Sequence, residues 1–210
     1  NNLIYASLIA SMDIAEVCIV FGNKIIRGNR AKKNHESSVD VFHTPGFPML
    51  GEIERPIKLF DWRLKRRKRV LHFHPKFESN IRLVKLFPGF QPFSLERMIE
   101  GGARGLIIEG FGPGNIPVSE GFSILPQLEQ AIKNGIPVVI GSQMEKSITN
   151  LKAYEGGFKA LEIGCISAHD MTTEAAVTKL MWVLSQSKNM DRIKFLMEHD
   201  MAGELTEEEK

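Results

Sequence analysis

The chain has 210 residues, 27 basic and 25 acidic side chains, a net charge of +2, 43% hydrophobic and 25% charged residues. These are the proportions of an ordinary globular protein, and they exclude wholesale disorder and collagen-like repetition. The charge is too nearly balanced to imply a polyanion partner, and no apolar run approaches the ~18 residues of a membrane helix.

The length is enough for one large core or two small ones. The two cysteines, Cys18 and Cys165, lie far apart, so a disulfide scaffold is not expected and a reducing compartment is the default. Neither has a second Cys or a clustered His nearby to make a zinc set. The chain opens Asn1-Asn2-Leu3, with no initiator Met, directly in a helical pattern. It is therefore read as lacking an amino-terminal portion, and the absence of a signal peptide carries no information.

Residues 2–12 (NLIYASLIASM) predict a helix ending near Asp13. The short apolar run 16–21 (EVCIVF) predicts a buried strand, and 24–27 (KIIR) its hairpin partner across Gly22-Asn23. A basic, polar stretch and a proline-fixed loop (TPGFP, 44–48) follow, and Pro56 opens an expected linker. Between Arg63 and Arg69 six of seven residues are basic. A nucleic-acid or nuclear-import patch would use such a run. A solvated face is the reading preferred, because no binding motif accompanies it.

From Asn80 onward strands alternate with helices. Strands are predicted at 81–87, 105–109 and 137–140, and helices at 93–100, 123–133, 172–185 and 191–199, with 150–163 partly helical. Glycines after the helices, Gly101-Gly102 and Gly135, suit carboxyl-terminal caps. Short apolar strands separated by helices mean a parallel sheet with right-handed crossovers. The expected fold class is α/β: a partial amino-terminal domain (1–55), a linker (56–79), a small parallel-sheet domain (80–200) and a charged tail (201–210) that frays.

Three motifs invite chemistry. Gly110-Phe111-Gly112-Pro113-Gly114-Asn115 follows a strand, but Asn115 stands where a dinucleotide fingerprint wants Gly, and Pro113 removes a donor. A loop there can still line a ligand cleft. His72 and His74 share a strand face without carboxylate or Cys at ligand spacing, so a surface pair is expected rather than a metal site. In 167–176 (SAHDMTTEAA), Asp170 or Thr172 can cap a helix whose first turn holds Glu174.

That last segment belongs to a longer one. Residues 165–180 (CISAHDMTTEAAVTKL) strongly resemble the carboxyl-terminal domain of type I L-asparaginases, which carries a G-x-I-x-x-x-D-M-T-x-E-A-A-x-x-K-L segment at this place. In matching order stand Arg27-Gly28-Asn29-Arg30, Lys85-Leu86-Phe87-Pro88-Gly89, the loop beginning at Glu109 and Gly203-Glu204-Leu205-Thr206. The resemblance implies hydrolysis of asparagine to aspartate and ammonia through a threonine acyl-enzyme, without metal or cofactor, by a cytoplasmic homodimer or homotetramer with neither nucleic acid nor membrane as partner. It also implies that the nucleophile segments T-G-G-T-I-A and H-G-T-D-T lie outside residues 1–210, as does the family's catalytic lysine, so no catalytic residue is expected within the chain. The substrate contacts it implies here are Glu155 and Tyr154, in Ala153-Tyr154-Glu155-Gly156-Gly157, contributed to a neighbouring protomer's site. A carboxylate at 155 suits the substrate's ammonium. A plain first-turn helix acid is the competing reading. The asparaginase-like subunit of a glutamyl-tRNA amidotransferase and a non-catalytic α/β assembly module are the alternatives for the whole chain.

Overall fold

A computed structural model describes residues 1–36, 41–68, 70 and 72–207. Arg69 of the basic run and residues 208–210 of the charged tail lie outside the described residues. The chain divides into two compact units, Asn1–His74 with Ala202–Glu204, and Pro75–Met201 with the residues from Leu205 on.

Unit 1 begins with α1 (Asn2–Ala10), then β1 (Cys18–Phe21) and β2 (Lys24–Arg27). Phe21 pairs with Lys24, so Gly22-Asn23 is a two-residue hairpin loop, and Gly22 sits at φ +60°, the left-handed region such loops require. A turn at Gly28–Arg30 leads to the small ladder β3 (Lys32–Lys33) with β4 (Phe42–His43). β5 (Gly51–Glu52) and β6 (Lys58–Leu59) extend the main sheet, in the order β1-β2-β5-β6. Ile9, Ile14, Ile25 and Leu50 form its core. The strand expected to be buried, β1, is half-buried along its length, because among the described residues it is the sheet's edge, paired with β2 alone.

The expected linker 56–79 is in part sheet and core instead. β6 pairs with β5, and Ile57 and Leu59 pack on the unit 1 core. The basic run is partly structural as well. Arg66 donates to the carbonyls of Ala10, the last residue of α1, and Met12 (2.7 and 2.9 Å), and Arg63 donates to Asp13 O (2.7 Å). One of these cations thereby satisfies the helix end and the other holds the turn that follows it.

Unit 2 runs β7 (Ile81–Lys85), α2 (Phe93–Glu100), β8 (Gly105–Gly110), α3 (Leu125–Lys133), β9 (Val138–Ser142), α4 (Glu155–Glu162), β10 (Ile166–Ser167), α5 (Thr173–Gln186) and α6 (Met190–Glu198). Its strands are parallel in the order β10-β9-β8-β7, one more than the three predicted from sequence. β10 is two residues long, too short for an apolar period to show. Strands added consecutively in one direction by right-handed crossovers place their connecting helices on one face. The core agrees. Leu106, Ile108, Val138 and Ile140 meet residues of α2, α3 and α4, whereas Ile107, Val139 and Ile166 meet α5 and α6. Burial on both faces is why these strands read as unbroken apolar runs. Among the described residues no helix is long and apolar enough to cross a membrane.

Thr172 supplies the clearest local start signal. It is the N-cap of α5, and its Oγ1 accepts the Ala175 N–H at 3.1 Å. Thr172→Ala is expected to lower stability by about 1 kcal/mol, read as a shift of the urea midpoint with an unchanged slope.

Candidate functional site

The candidate site lies where α4 begins. Tyr154 is its N-cap, in extended conformation and 57% exposed, and its side chain makes no capping bond. Glu155 is the first helical residue, its side chain 69% exposed, paired with Lys159 Nζ at 2.7 Å one turn on. The hydrogen bond from Lys159, with its charge, holds the Glu155 carboxyl below the usual carboxylate range. Glu155 is therefore an ionised, solvent-facing carboxylate at neutral pH, paired along its own helix.

The glycines beside it have a different task. Gly156 and Gly157 are buried. A Cβ on Gly156 would stand 2.1 Å from Ile116 O and 2.6 Å from Asn115 Oδ1; one on Gly157 would stand 2.5 Å from Leu151 O. What they admit is backbone, which seats the first turn of α4 on the loop after β8. Tyr154 and Glu155 are thus presented on a fixed helix start.

That loop, 110–115, closes on itself. Phe111 N–H donates to Asn115 O (2.8 Å), and the N–H groups of Gly114 and Asn115 donate to Phe111 O (3.0 and 2.8 Å). Pro113 has no donor. These amides are turned inward, away from any phosphate, so the geometry agrees with rejecting a dinucleotide fingerprint. Ser142 Oγ donates to Gly112 O (2.6 Å) and Asn150 N–H to Pro113 O (2.9 Å), fixing the loop to neighbouring segments. Among the described residues Asn115 Oδ1 is buried and accepts no hydrogen bond.

Further polar groups gather along the carboxyl ends of the parallel strands, the edge where open α/β sheets bind ligands. Glu109, at the end of β8, accepts from Thr173 Oγ1 at 2.6 Å and lies 4.0 Å from Lys85 Nζ. Gln143 Nε2 donates to the carbonyls of Leu86 and Glu109 (2.6 and 2.9 Å). His169 holds φ +52°, unusual for a residue with a Cβ, and its carbonyl accepts from Thr149 N–H at 2.8 Å. From sequence, Glu109 enters only as the start of the glycine-rich loop and Gln143 not at all, although a carboxylate ending the apolar run GLIIE is a visible signal.

Three of the D-M-T-x-E-A-A-x-x-K-L residues hold structure together. Asp170 accepts from Thr206 N–H and Oγ1 (2.8 and 2.6 Å), Thr172 caps α5, and the buried Lys179 donates to His199 O at the end of α6 (2.5 Å). Burial raises both thiols, Cys165 to about 12 and Cys18 to about 11, the latter with help from the Glu16 charge. Neither carries useful thiolate at neutral pH. His72 and His74 are both exposed. Among the described residues no group of three or more His, Cys, Asp and Glu side chains is placed to hold a metal.

An antiparallel unit and a parallel α/β unit with a polar carboxyl edge define a two-unit α/β protein. The chain belongs to the asparaginase family: residues 1–65 match "Asparaginase, N-terminal" and residues 80–197 match "Glutaminase/Asparaginase C-terminal domain". It is similar to a glutamyl-tRNA(Gln) amidotransferase subunit from Methanosarcina barkeri, 34% identical over 98% of this chain and 50% of that one. It is also similar to the L-asparaginase of Thermococcus kodakarensis, 31% identical over 98% of this chain and 62% of that one. The solved structure of the thermostable T. kodakarensis L-asparaginase superposes with a TM-score of 0.91, at 30% identity, over 99% of this chain and 62% of that one. L-asparaginase I from Vibrio cholerae gives 0.87, at 30% identity, over 98% of this chain and 62% of that one. The chain thus spans about half the length of the amidotransferase relatives it matches, and under two thirds of the asparaginases.

Proposed function

We propose that these residues are the substrate-completing part of an amidohydrolase that converts asparagine to aspartate and ammonia. A threonine hydroxyl attacks the side-chain amide carbon, ammonia leaves as the acyl-enzyme forms, and water releases aspartate. The threonines, the lysine and the oxyanion donors belong to an amino-terminal portion outside these 210 residues. This chain contributes the acidic tip of α4 to the site of a neighbouring protomer in a homodimer or homotetramer.

The observation that carries this reading is Glu155, an ionised carboxylate on a rigid helix start within a fold that superposes on an asparaginase. Its role is to face the substrate's α-ammonium. In an assembly containing the amino-terminal portion, Glu155→Gln is expected to raise KM for asparagine about tenfold, as loss of a charge-assisted contact does. The melting temperature stays unchanged, because an exposed i,i+4 pair contributes little. An unchanged KM retires Glu155 as a ligand and leaves it the partner of Lys159. Tyr154, exposed beside it, forms the apolar wall of the same contact.

The second reading, the asparaginase-like subunit of a glutamyl-tRNA amidotransferase, is favoured by the 34% identity to the M. barkeri relative. The residues preceding Asn1 separate the two, since an additional small β-domain there belongs to the amidotransferase reading.

Assembly has its own test. α1 is apolar on every side, yet Leu3, Ile4 and Leu8 are at least half exposed and Val17 is 87% exposed. A helix apolar all round is normally covered. Light scattering on the purified chain is expected to show self-association, and a stable monomer counts against it.

A further inference from the structure

Residues 198–210 fall beyond both family matches, and their charge predicts a tail that frays from 201 on. A short segment of it is instead built into unit 1. Ala202–Glu204 belongs to that unit, and Glu204 is 4% exposed. The Gly203 carbonyl accepts from Arg27 Nη1 at 3.1 Å and from Arg30 Nε at 2.6 Å, while Asn29 Nδ2 donates to Ala202 O at 3.0 Å. The receiving side chains are themselves fixed. Arg27 Nε and Nη2 are held by the Glu16 carboxylate, with both side chains almost wholly buried. Both guanidiniums lie over the Phe47 ring, at 4.4 and 4.8 Å from its centroid. Arg30 is 2% exposed.

Position 203 admits glycine alone. Its φ is +81°, and a Cβ there would stand 2.5 Å from the Arg27 guanidinium carbon, which cannot swing away from Glu16 without breaking a buried pair. Without the Gly203 carbonyl, two buried guanidiniums would each lose an acceptor, a costly state in a water-poor site. Beyond the clasped residues, Leu205 is buried and Thr206 is held by Asp170 through two hydrogen bonds.

We propose that Arg27, Asn29, Arg30 and Phe47 form a peptide-binding site in unit 1, and that its ligand is the chain's own segment Ala202-Gly203-Glu204, read by its backbone carbonyls and by the absence of a side chain at 203. The segment is a clasp whose engagement completes unit 1. This stands apart from the reaction assigned above and is tested without any activity.

Native-state hydrogen exchange on the full chain is expected to show the Ala202 and Thr206 amides protected by about 100-fold or more over a free peptide. Gly203→Ala is expected to lower that protection at least tenfold and to lower the melting temperature by several degrees. Millimolar synthetic peptide Ala-Gly-Glu-Leu-Thr is expected to restore melting in this variant and to leave the wild type unmoved. Should Gly203→Ala fail to fold, Asn29→Ala removes one bond only and is expected to weaken protection at residues 202–206 while the rest of unit 1 keeps its own. Tail amides that exchange as fast as free peptide in the wild type overturn the clasp. So does a folded Gly203→Ala chain with unchanged exchange and melting, or one on which the peptide has no effect.

Discussion

Residues 1–210 by themselves are expected to release ammonia from asparagine no faster than buffer does. A threonine hydroxyl is a weak nucleophile and needs an adjacent base and oriented donors for the developing oxyanion. The segments in which the family keeps these groups do not occur in the 210 residues. Both thiols are pushed above pH 10 by burial, which removes them as substitutes. One pairing inside the chain does imitate a nucleophile and its base, Thr173 Oγ1 to Glu109 Oε1 at 2.6 Å. The hydroxyl sits at the first residue of α5 and ties that helix to the end of β8. Loss of a catalytic unit costs about 10⁶-fold in kcat in a well-studied hydrolase. Turnover near that of an intact asparaginase would overturn the assignment of roles and direct attention to Thr173 and Glu109.

The largest expected loss of stability from a single methyl group is at Gly156. Alanine is better than glycine inside a helix by about 1 kcal/mol, so on propensity alone Gly156→Ala would stabilise α4. The packing decides otherwise. The added Cβ would lie 2.1 Å from Ile116 O and 2.6 Å from Asn115 Oδ1, and the first of these is backbone in a loop that several hydrogen bonds hold in place. Overpacking against atoms that cannot yield costs about 3 kcal/mol, leaving a net loss of about 2 kcal/mol. Gly141→Ala is the control, since its Cβ would meet only Ala168 Cβ at 3.4 Å. Chemical denaturation of the two variants is expected to separate them clearly. A Gly156→Ala chain as stable as wild type would show that the glycine makes room for ligand rather than for backbone.

The sequence was most informative where local chemistry and tertiary packing agree. The alternation of 81–199 placed the strands β7, β8 and β9 and the helices between them; β8 and β9 were the plainest, because strands buried on both faces must be continuously apolar. The hairpin at Gly22-Asn23 and the cap at Thr172 were equally visible, each depending on residues within a few positions. What stayed hidden depends on contacts distant in sequence. β10 is a strand only because β9 lies beside it. Arg63 and Arg66 looked like surface charge, and their partners at Ala10, Met12 and Asp13 are some fifty residues away. The tail from Gly203 looked solvated because its receptors, Arg27, Asn29 and Arg30, are more than 170 residues upstream. At the candidate site, Glu155 and Tyr154 were singled out through the family resemblance, and the structure places both exposed at the start of α4. The glycines beside them were legible as glycines, but not in what they approach.

Ammonia release from asparagine by this chain mixed with a separately produced amino-terminal polypeptide, one carrying the T-G-G-T-I-A and H-G-T-D-T segments and the lysine, tests the central claim most directly. Hydrolysis that requires both polypeptides, and whose KM rises with Glu155→Gln in this chain, is the predicted result. Hydrolysis at the same rate by either polypeptide alone, or a stable complex of the two that releases no ammonia, would contradict it.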